Sequence, residues 1–457
     1  MSLSSSLFTA ISAILTERGG LAVVSNNIAN VNTPGYTREV PDYQESPPND
    51  LAGLQFGTGV TLAGIQSIRD NVLQLRLNQE AQNQGRLDTL STGFDQIQPL
   101  FNESSGSGLQ SLLSQFFNGF QQLAANPTNS GVRQSVIQNA QSLATGFRQT
   151  ALALQTQQQN ADTAVVQTVT QINQLSGQIA ALNGQIGTPS APSQSQNALV
   201  DQRALLINQL SQLVDVQAIP ADGSSLTITT NGGSLLVVGN KSFNLTTQPD
   251  PTTAFQHVFS QGQDITSTIT GGNLAGDIQL RDQQIPSLDS SLDTLASGIA
   301  SAVNTQNAAG FDLNGNPGGN IFVPPAGVPG AALNLAVAIT DPNLIAASAD
   351  GTPGNNANAT ALANLQNQPI ISGQNPINYY SNVVFQVGNN ASNASAALSS
   401  EQLLVQQLQN QQNAVSGVSL DEEAANLVQF QNAYTAASRV ATVIASLFQT
   451  TINMVGG

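Results

Sequence analysis

Cysteine and tryptophan are absent from this 457-residue sequence, and it holds one histidine, His257, and one lysine, Lys241. Without cysteine there are no disulfides and no thiolate metal sites, a condition that suits a secreted chain that must travel unfolded and uncrosslinked. A single histidine and dispersed carboxylates offer no convergent set of titratable groups, so neither an enzyme nor a bound cofactor or metal is expected. Charged residues make up only 8% of the chain, which leaves the solubility of its surface to Gln, Asn, Ser and Thr. A net charge of -16 with scattered arginines argues against nucleic acid or an anionic membrane as partner. Residues 1 to 18 lack the basic start and apolar centre of a cleavable signal, and no uninterrupted run reaches the roughly 18 to 20 apolar residues of a membrane span, so no membrane insertion is expected.

What is present is patterned. Hydrophobic residues are 40% of the chain, enough at this length for two to four domains with real cores. Near the start, Leu3, Leu7, Ala10, Ile14, Leu21, Val24, Ile28 and Val31 alternate by threes and fours, broken only at Glu17, which is coiled-coil spacing. Pro34-Gly35 suits the centre of a type II turn, so the first helix should stop by Asn32. A matching stripe closes the chain: Leu420, Leu427, Tyr434, Ala441, Phe448 and Val455 recur every seven, with Phe430, Ala437, Ile444 and Thr451 three residues on. Ser419 and Glu422 spell a capping box, and Asp421, Glu422 and Glu423 set negative charge on the positive end of the helix dipole, so the last helix should begin near Leu420.

Two stretches carry a resemblance. NNIANVNTPGYTR (26 to 38) and SLDEEAANLVQFQNAYTAASRVATVIASLF (419 to 448) resemble the paired termini of bacterial flagellar axial proteins, the rod, hook and hook-associated family. NPTNSGVRQSVIQNAQSLA (126 to 144), NALVDQRALLINQLSQLV (197 to 214) and residues 271 to 319 are similar to its hook-filament junction branch. The resemblance implies an assembly interface made of Leu7, Ile14, Leu21, Val24, Ile28, Val31, Leu420, Leu427, Phe430, Tyr434, Ala437, Ala441, Ile444 and Phe448 together with Asn27, Asn30, Asn32, Pro34, Gly35, Tyr36 and Glu423. It implies a helical ring of copies, a hook protein on one side, a second hook-associated junction protein on the filament side, and a type III export chaperone at the C-terminal helix. The two stripes are expected to lie frayed in the monomer and to meet only in the polymer, as an isolated helix pair buries little apolar surface.

Between the ends, helices are expected at 69 to 99, 109 to 125, 130 to 186, 197 to 214 and 284 to 308. In the longest, Val165, Ile172, Ile179 and Ile186 recur every seven, while Gly146, Gly177 and Gly184 are candidate breaks. Residues 40 to 68, rich in Gly, Pro and Thr, read as a connector between helical layers, with 56 to 62 as extended chain or a hairpin. From Val216 the period becomes two, with Leu226 and Ile228 alternating with Thr227 and Thr229 and a turn at Asn231-Gly232-Gly233. Later a strand is expected at 333 to 339, a short helix at 357 to 367, and a helix emerging from the Ser/Ala/Asn tract 389 to 400. The fold class is therefore mainly α with a β insertion (α+β), divided as terminal halves 1 to 37 and 416 to 457 of an inner coiled coil, helical segments 38 to 215 and 281 to 415, and a β-rich outer domain at 216 to 280.

Two apparent motifs dissolve on inspection. Asp312, Asn314 and Asn316 imitate a calcium loop, but Pro317 and Val323 occupy the positions of the needed Gly and acid, so a turn is expected. Gly239-Asn240-Lys241-Ser242 misses the phosphate-loop wording by one residue and reads as a hairpin end. The rival functional readings are another axial protein of hook or rod type, which would have a strand-dominated middle, and a surface adhesin using the β insertion.

Overall fold

The computed structural model describes residues 3–51, 54–103, 108–186, 193–221 and 225–455. Most of the Ser-Gly stretch 104 to 108 and of the Pro- and Ser-rich stretch 187 to 196 lies outside them. The first helix, α1 (Leu3–Ala29), leads through a turn into an antiparallel ladder of β1 (Glu39–Glu45) with β4 (Val60–Ser67). A shorter hairpin of β2 (Asn49–Leu51) and β3 (Leu54–Phe56) lies between them. The connector read from the sequence is thus two nested hairpins.

Helix α2 (Asn71–Ile97) starts where Asp70 accepts hydrogen bonds from the backbone of Val72 and Leu73, a side-chain cap that satisfies two free amides. Helices α3 (Leu109–Ala125), α4 (Ser130–Ile186) and α5 (Ser193–Leu213) follow. α4 is unbroken over 57 residues, about 85 Å at the standard rise. Its glycines do not interrupt it, and one serves packing: a Cβ on Gly146 would come within 2.6 Å of Leu112 on α3.

The β insertion is two small antiparallel sheets, β5 (Val216–Pro220), β6 (Leu226–Thr230), β7 (Leu235–Val238) and β8 (Lys241–Ser242), then β9 (Leu245–Pro249), β10 (Gln256–Ser260) and β11 (Gln263–Asp264). Gly239-Asn240 turns the β7–β8 hairpin, with Gly239 at φ 56°. Strands end at Asp264. Residues 272 to 279, counted with the β-rich part on sequence, form helix α6 (Gly272–Gln279), which passes through one π turn into α7 (Ile285–Ala308).

Two cores share α4. Its first half joins α3, α7, α9 (Ala357–Asn364) and α10 (Pro376–Ser416) around Phe116, Phe117, Phe120 and Phe147, all fully buried. Its second half, with α5, α6 and the sheets, encloses Val165, Ile172, Ile179, Leu210, Ile228 and Val258. The expected strand at 333 to 339 is instead the short α8 (Ala331–Asn334) and one bridge between Phe322 and Val337. α10 begins well before the Ser/Ala/Asn tract, because Asn375 caps the amide of Asn378 and Pro376 occupies the first helical position. Asp312 accepts from the amides of Asn314 and Asn316, a closed turn.

The last helix, α11 (Leu420–Val455), returns antiparallel along α1. This corrects one expectation: the terminal stripes meet inside one chain rather than only between chains. A second correction concerns α1 itself, which by length and composition alone is long and apolar enough to cross a membrane. An uninterrupted-run criterion passes over it because Ser and Thr are interspersed among its apolar residues.

Candidate assembly interface

The seam between α1 and α11 narrows at Gly20. A Cβ there would lie 2.7 Å from the Tyr43 hydroxyl on β1 and 3.0 Å from the Phe430 ring, so a larger residue would push against both neighbours. Thr16 on α1 is buried, and its hydroxyl donates to the Val60 carbonyl on β4 (3.0 Å). Burial and the Glu17 carboxylate push the Tyr43 hydroxyl up to about 12.

Where α1 ends, a polar knot joins both termini. Asn27 is 1% exposed, and its Nδ2 donates to Glu39 O (2.8 Å) and to Glu423 Oε2 on α11 (3.1 Å). Its Oδ1 accepts from Glu39 N (3.0 Å) and the Tyr36 hydroxyl (2.8 Å). Asn26 Nδ2 donates to Tyr36 Oη and to Glu39 Oε2, and Asn30 Nδ2 donates back to Asn26. Burial, then the carboxylates of Glu39 and Asp201, raise the Tyr36 hydroxyl above its ordinary value, so it stays a proton donor.

The turn that feeds this knot is closed by Tyr36 N donating to Thr33 O (3.1 Å), with Gly35 at φ 78°, as a Pro-Gly type II turn requires. Arg38 then reaches across to α11. Its Nε donates to Glu423 Oε1 (2.9 Å), and its two Nη atoms grip Glu422 at 2.9 and 2.8 Å, the forked geometry that makes Arg–carboxylate pairs strong. The Ser419 hydroxyl caps Glu422 N weakly at 3.5 Å, and the Glu422 side chain is taken by Arg38. A third element locks in through Asp201 on α5, which accepts from Thr37 N (3.0 Å), Thr37 Oγ1 (2.5 Å) and Arg69 Nη2 (2.8 Å). Asn197, also on α5, donates to Glu39 Oε1 and Ile65 O.

Of the residues singled out on sequence, Asn27, Tyr36 and Glu423 meet in the knot, with Asn30 one layer out. Asn32, Pro34 and Gly35 are exposed on the turn. Val24 and Ile444 are buried, and Leu7, Ile14, Leu21, Ile28, Val31, Leu427, Phe430, Ala437, Ala441 and Phe448 are half-buried along the seam. Leu420 and Tyr434 are 52% and 38% exposed, at the edge of the packed face. Sequence reading passed over Asn26, Arg38, Glu39 and Asp201 as contributors; Arg38 lay inside the quoted motif, whereas Asp201 had no local signal.

α11 presents three faces. Phe430, Ala437, Ile444 and Phe448 meet α1. Gln431, Thr435, Thr442 and Gln449 form an exposed polar strip. Val440 (52%), Val443 (57%) and Leu447 (48%) form an exposed apolar strip, and α1 carries a counterpart on its outer side in Phe8 (72%), Ile11 (40%) and Leu15 (60%). Among the described residues, no group of three or more His, Cys, Asp or Glu is placed to hold a metal ion.

Comparison with known proteins agrees with this geometry. Residues 94–322 match the family described as the flagellar hook-associated protein FlgK helical domain. Residues 7–37 match the flagella basal body rod protein family, and 410–454 the flagellar basal body rod FlgEFG protein C-terminal. Flagellar hook-associated protein 1 of Bacillus subtilis is 30% identical over 98% of this chain and 98% of its own length. The protein of the same description from Escherichia coli is 28% identical over 99% of this chain and 100% of its own. The solved flagellar hook junction protein FlgK from Burkholderia pseudomallei shares the fold, with a TM-score of 0.67 at 22% identity over 75% of this chain and 100% of that one. The chain belongs to the flagellar hook-associated protein 1 family.

Proposed function

We propose that this chain is a structural subunit of the bacterial flagellum at the junction between hook and filament, and that copies join laterally through the outer faces of their paired terminal helices. The observation that carries this is the exposed apolar strip on both helices. Among the described residues, Phe8, Ile11 and Leu15 on α1, and Val440, Val443 and Leu447 on α11, stay 40 to 72% exposed, though α1 and α11 already cover each other. Large apolar side chains at helical spacing and in water are a surface made to be buried. The polar strip of α11 remains, nearly uncharged, to line a central channel through which other chains pass.

On this reading the subunit leaves the cell unfolded through the flagellar type III route, consistent with a chain that has no cysteine to crosslink. A chaperone shields the apolar faces of α11 before export. A hook protein meets the ring on one side, and a second hook-associated protein meets it on the filament side. Residues 1 to 37 and 416 to 457 are the assembling domain, and the segments between them form the outer body.

Electron microscopy of a strain lacking this chain tests the reading. Hooks without filaments, restored to filament-bearing ones by the parental gene, are the expected result. Filaments of normal number and length in the deletion strain would contradict it.

A further inference from the structure

The turn Asn231-Gly232-Gly233 joins β6 to β7, and all three residues are exposed. Gly233 N donates to Thr230 O (2.9 Å), and Thr230 N donates to Ser234 O (2.8 Å). Asn231 N reaches outside the hairpin to Asp215 O (3.2 Å). Among the described residues, neither the Asn231 side chain nor the Gly232 amide has a hydrogen-bond partner. An asparagine followed by glycine is the pair whose next backbone nitrogen most readily closes a five-membered ring on the side-chain amide, because glycine has no Cβ to obstruct the approach.

Three other Asn-Gly pairs occur in the chain, and each is held against that ring closure. Asn118-Gly119 lies inside α3, where the helical hydrogen-bond ladder engages the glycine amide. Asn183-Gly184 lies inside α4, and the Asn183 side chain is buried and fully used. Its Nδ2 donates to Leu226 O (2.8 Å) and Gly239 O (2.9 Å), and its Oδ1 accepts from Arg203 Nη1 (2.7 Å) and Leu226 N (3.3 Å). Asn314-Gly315 is exposed, but the Gly315 amide donates to Asp312 O (3.2 Å) and the Asn314 amide to Asp312 Oδ1 (2.8 Å), so the attacking nitrogen is already engaged.

We propose that Asn231 is a site of spontaneous deamidation, a slow one-way modification of the β6–β7 turn in the folded chain. The Gly232 nitrogen bonds to Asn231 Cγ, the Cγ–Nδ2 bond breaks, and Nδ2 leaves as ammonia with the proton shed by Gly232. Water then adds to one or other carbonyl of the succinimide, giving aspartate or isoaspartate, so solvent is the only co-reactant. Either product adds one negative charge to a chain already at -16. Isoaspartate also inserts one carbon into the backbone between residues 231 and 232, so the bonds from Gly233 N to Thr230 O and from Asn231 N to Asp215 O cannot both be kept. The cost falls on the hairpin whose Ile228 and Val237 are fully buried in the second core. Because the reaction needs only water, it runs for as long as the folded chain persists.

Gly232 is a poor place for the test, because a Cβ there would come within 2.8 Å of Thr268 Oγ1 and disturb the turn itself. Asn231→Gln leaves the exposed turn intact, and its longer side chain would have to close a larger and much slower-forming ring. The full-length parent and this variant should be held in mildly alkaline buffer, folded and in denaturant, with peptides mapped by mass spectrometry over time. In denaturant all the Asn-Gly pairs should convert at similar rates. In the folded parent, Asn231 should convert several-fold faster than Asn118, Asn183 and Asn314, with isoaspartate exceeding aspartate. The acidic form that accumulates on isoelectric focusing of the parent should be lost from Asn231→Gln. Conversion at Asn314 as fast as at Asn231, a folded Asn231 as protected as Asn183, or an equally abundant acidic form in Asn231→Gln would each overturn the assignment.

Discussion

The body and the terminal helix pair solve the same problem of burying apolar residues to different degrees. In the body, Phe116 packs against Phe117, Phe120 and Phe322 with ring centroids 5.1 to 5.5 Å apart, and all four rings are fully buried. In the terminal pair, Ile444 is 8% exposed while Val443 beside it is 57% exposed. The body completes its core within one chain. The pair closes one seam and leaves a second apolar strip in water, which makes it the part whose stability depends on neighbours. A polar knot rather than a continuous core connects the two regions, so each can be perturbed with limited effect on the other.

The largest expected effect is in the body. Phe116→Ala should cost about 3–5 kcal/mol, read as a large fall in the melting midpoint of the whole chain, since no neighbouring ring can collapse into the space. Close behind is a pH effect where the two cores meet. Burial pushes Asp277 from 3.8 up to about 7, against the lowering by its hydrogen bond to Thr168 and by the charge of Arg281. The folded state then holds a proton that the unfolded state has lost between about pH 4 and 7. Stability should therefore be fully present below that window and fall as pH rises through it, by at most about 4 kcal/mol. Asp277→Asn should flatten the slope of denaturation midpoint against pH, and an unchanged slope would show that another group titrates there.

The knot should give a smaller and more local loss. Glu423→Ala removes the acceptor of both Asn27 and Arg38 Nε, which costs about 1–3 kcal/mol when donors are left without partners. Hydrogen exchange should quicken in α1 and α11 while amides around Phe116 and Leu113 keep their protection. Equal loss in both regions would mean that the terminal pair and the body unfold as one unit.

The elements that could be read from sequence are those whose signal is local and periodic. The heptad of Val165, Ile172, Ile179 and Ile186 marked the second half of α4, and Ser419 with three acids after it set the start of α11 within a residue. Segments 309 to 330 and 335 to 356 were not legible, because no period organises them. Their backbone is held by side chains from α7 and α9: Asn304 exchanges hydrogen bonds with Phe322, Asn307 binds Gly319 O and Ala346 N, Asp293 accepts from Gly330 N and Ala332 N, and Asn358 donates to Ala346 O. Irregular chain can be buried when its polar groups are paired in this way. The knot was half legible for a related reason. Asn27, Tyr36 and Glu423 stood in recognisable wording, whereas Asp201 joins Thr37 across more than a hundred residues of sequence.

The claim that the terminal pair holds a face in reserve for other copies is tested most directly by Leu15→Asp with Val443→Asp in one chain. Both side chains are exposed in the monomer, so the added carboxylates remain in water there, but in an assembled seam each would be a buried charge without a partner, which costs several kcal/mol. Melting of the purified monomer and attachment of filaments to hooks should be measured on the same variant. The account predicts a melting midpoint equal to the parent's, together with hooks that lack filaments and monomers shed into the medium. A midpoint well below the parent's, or filaments attached as usual, would contradict it.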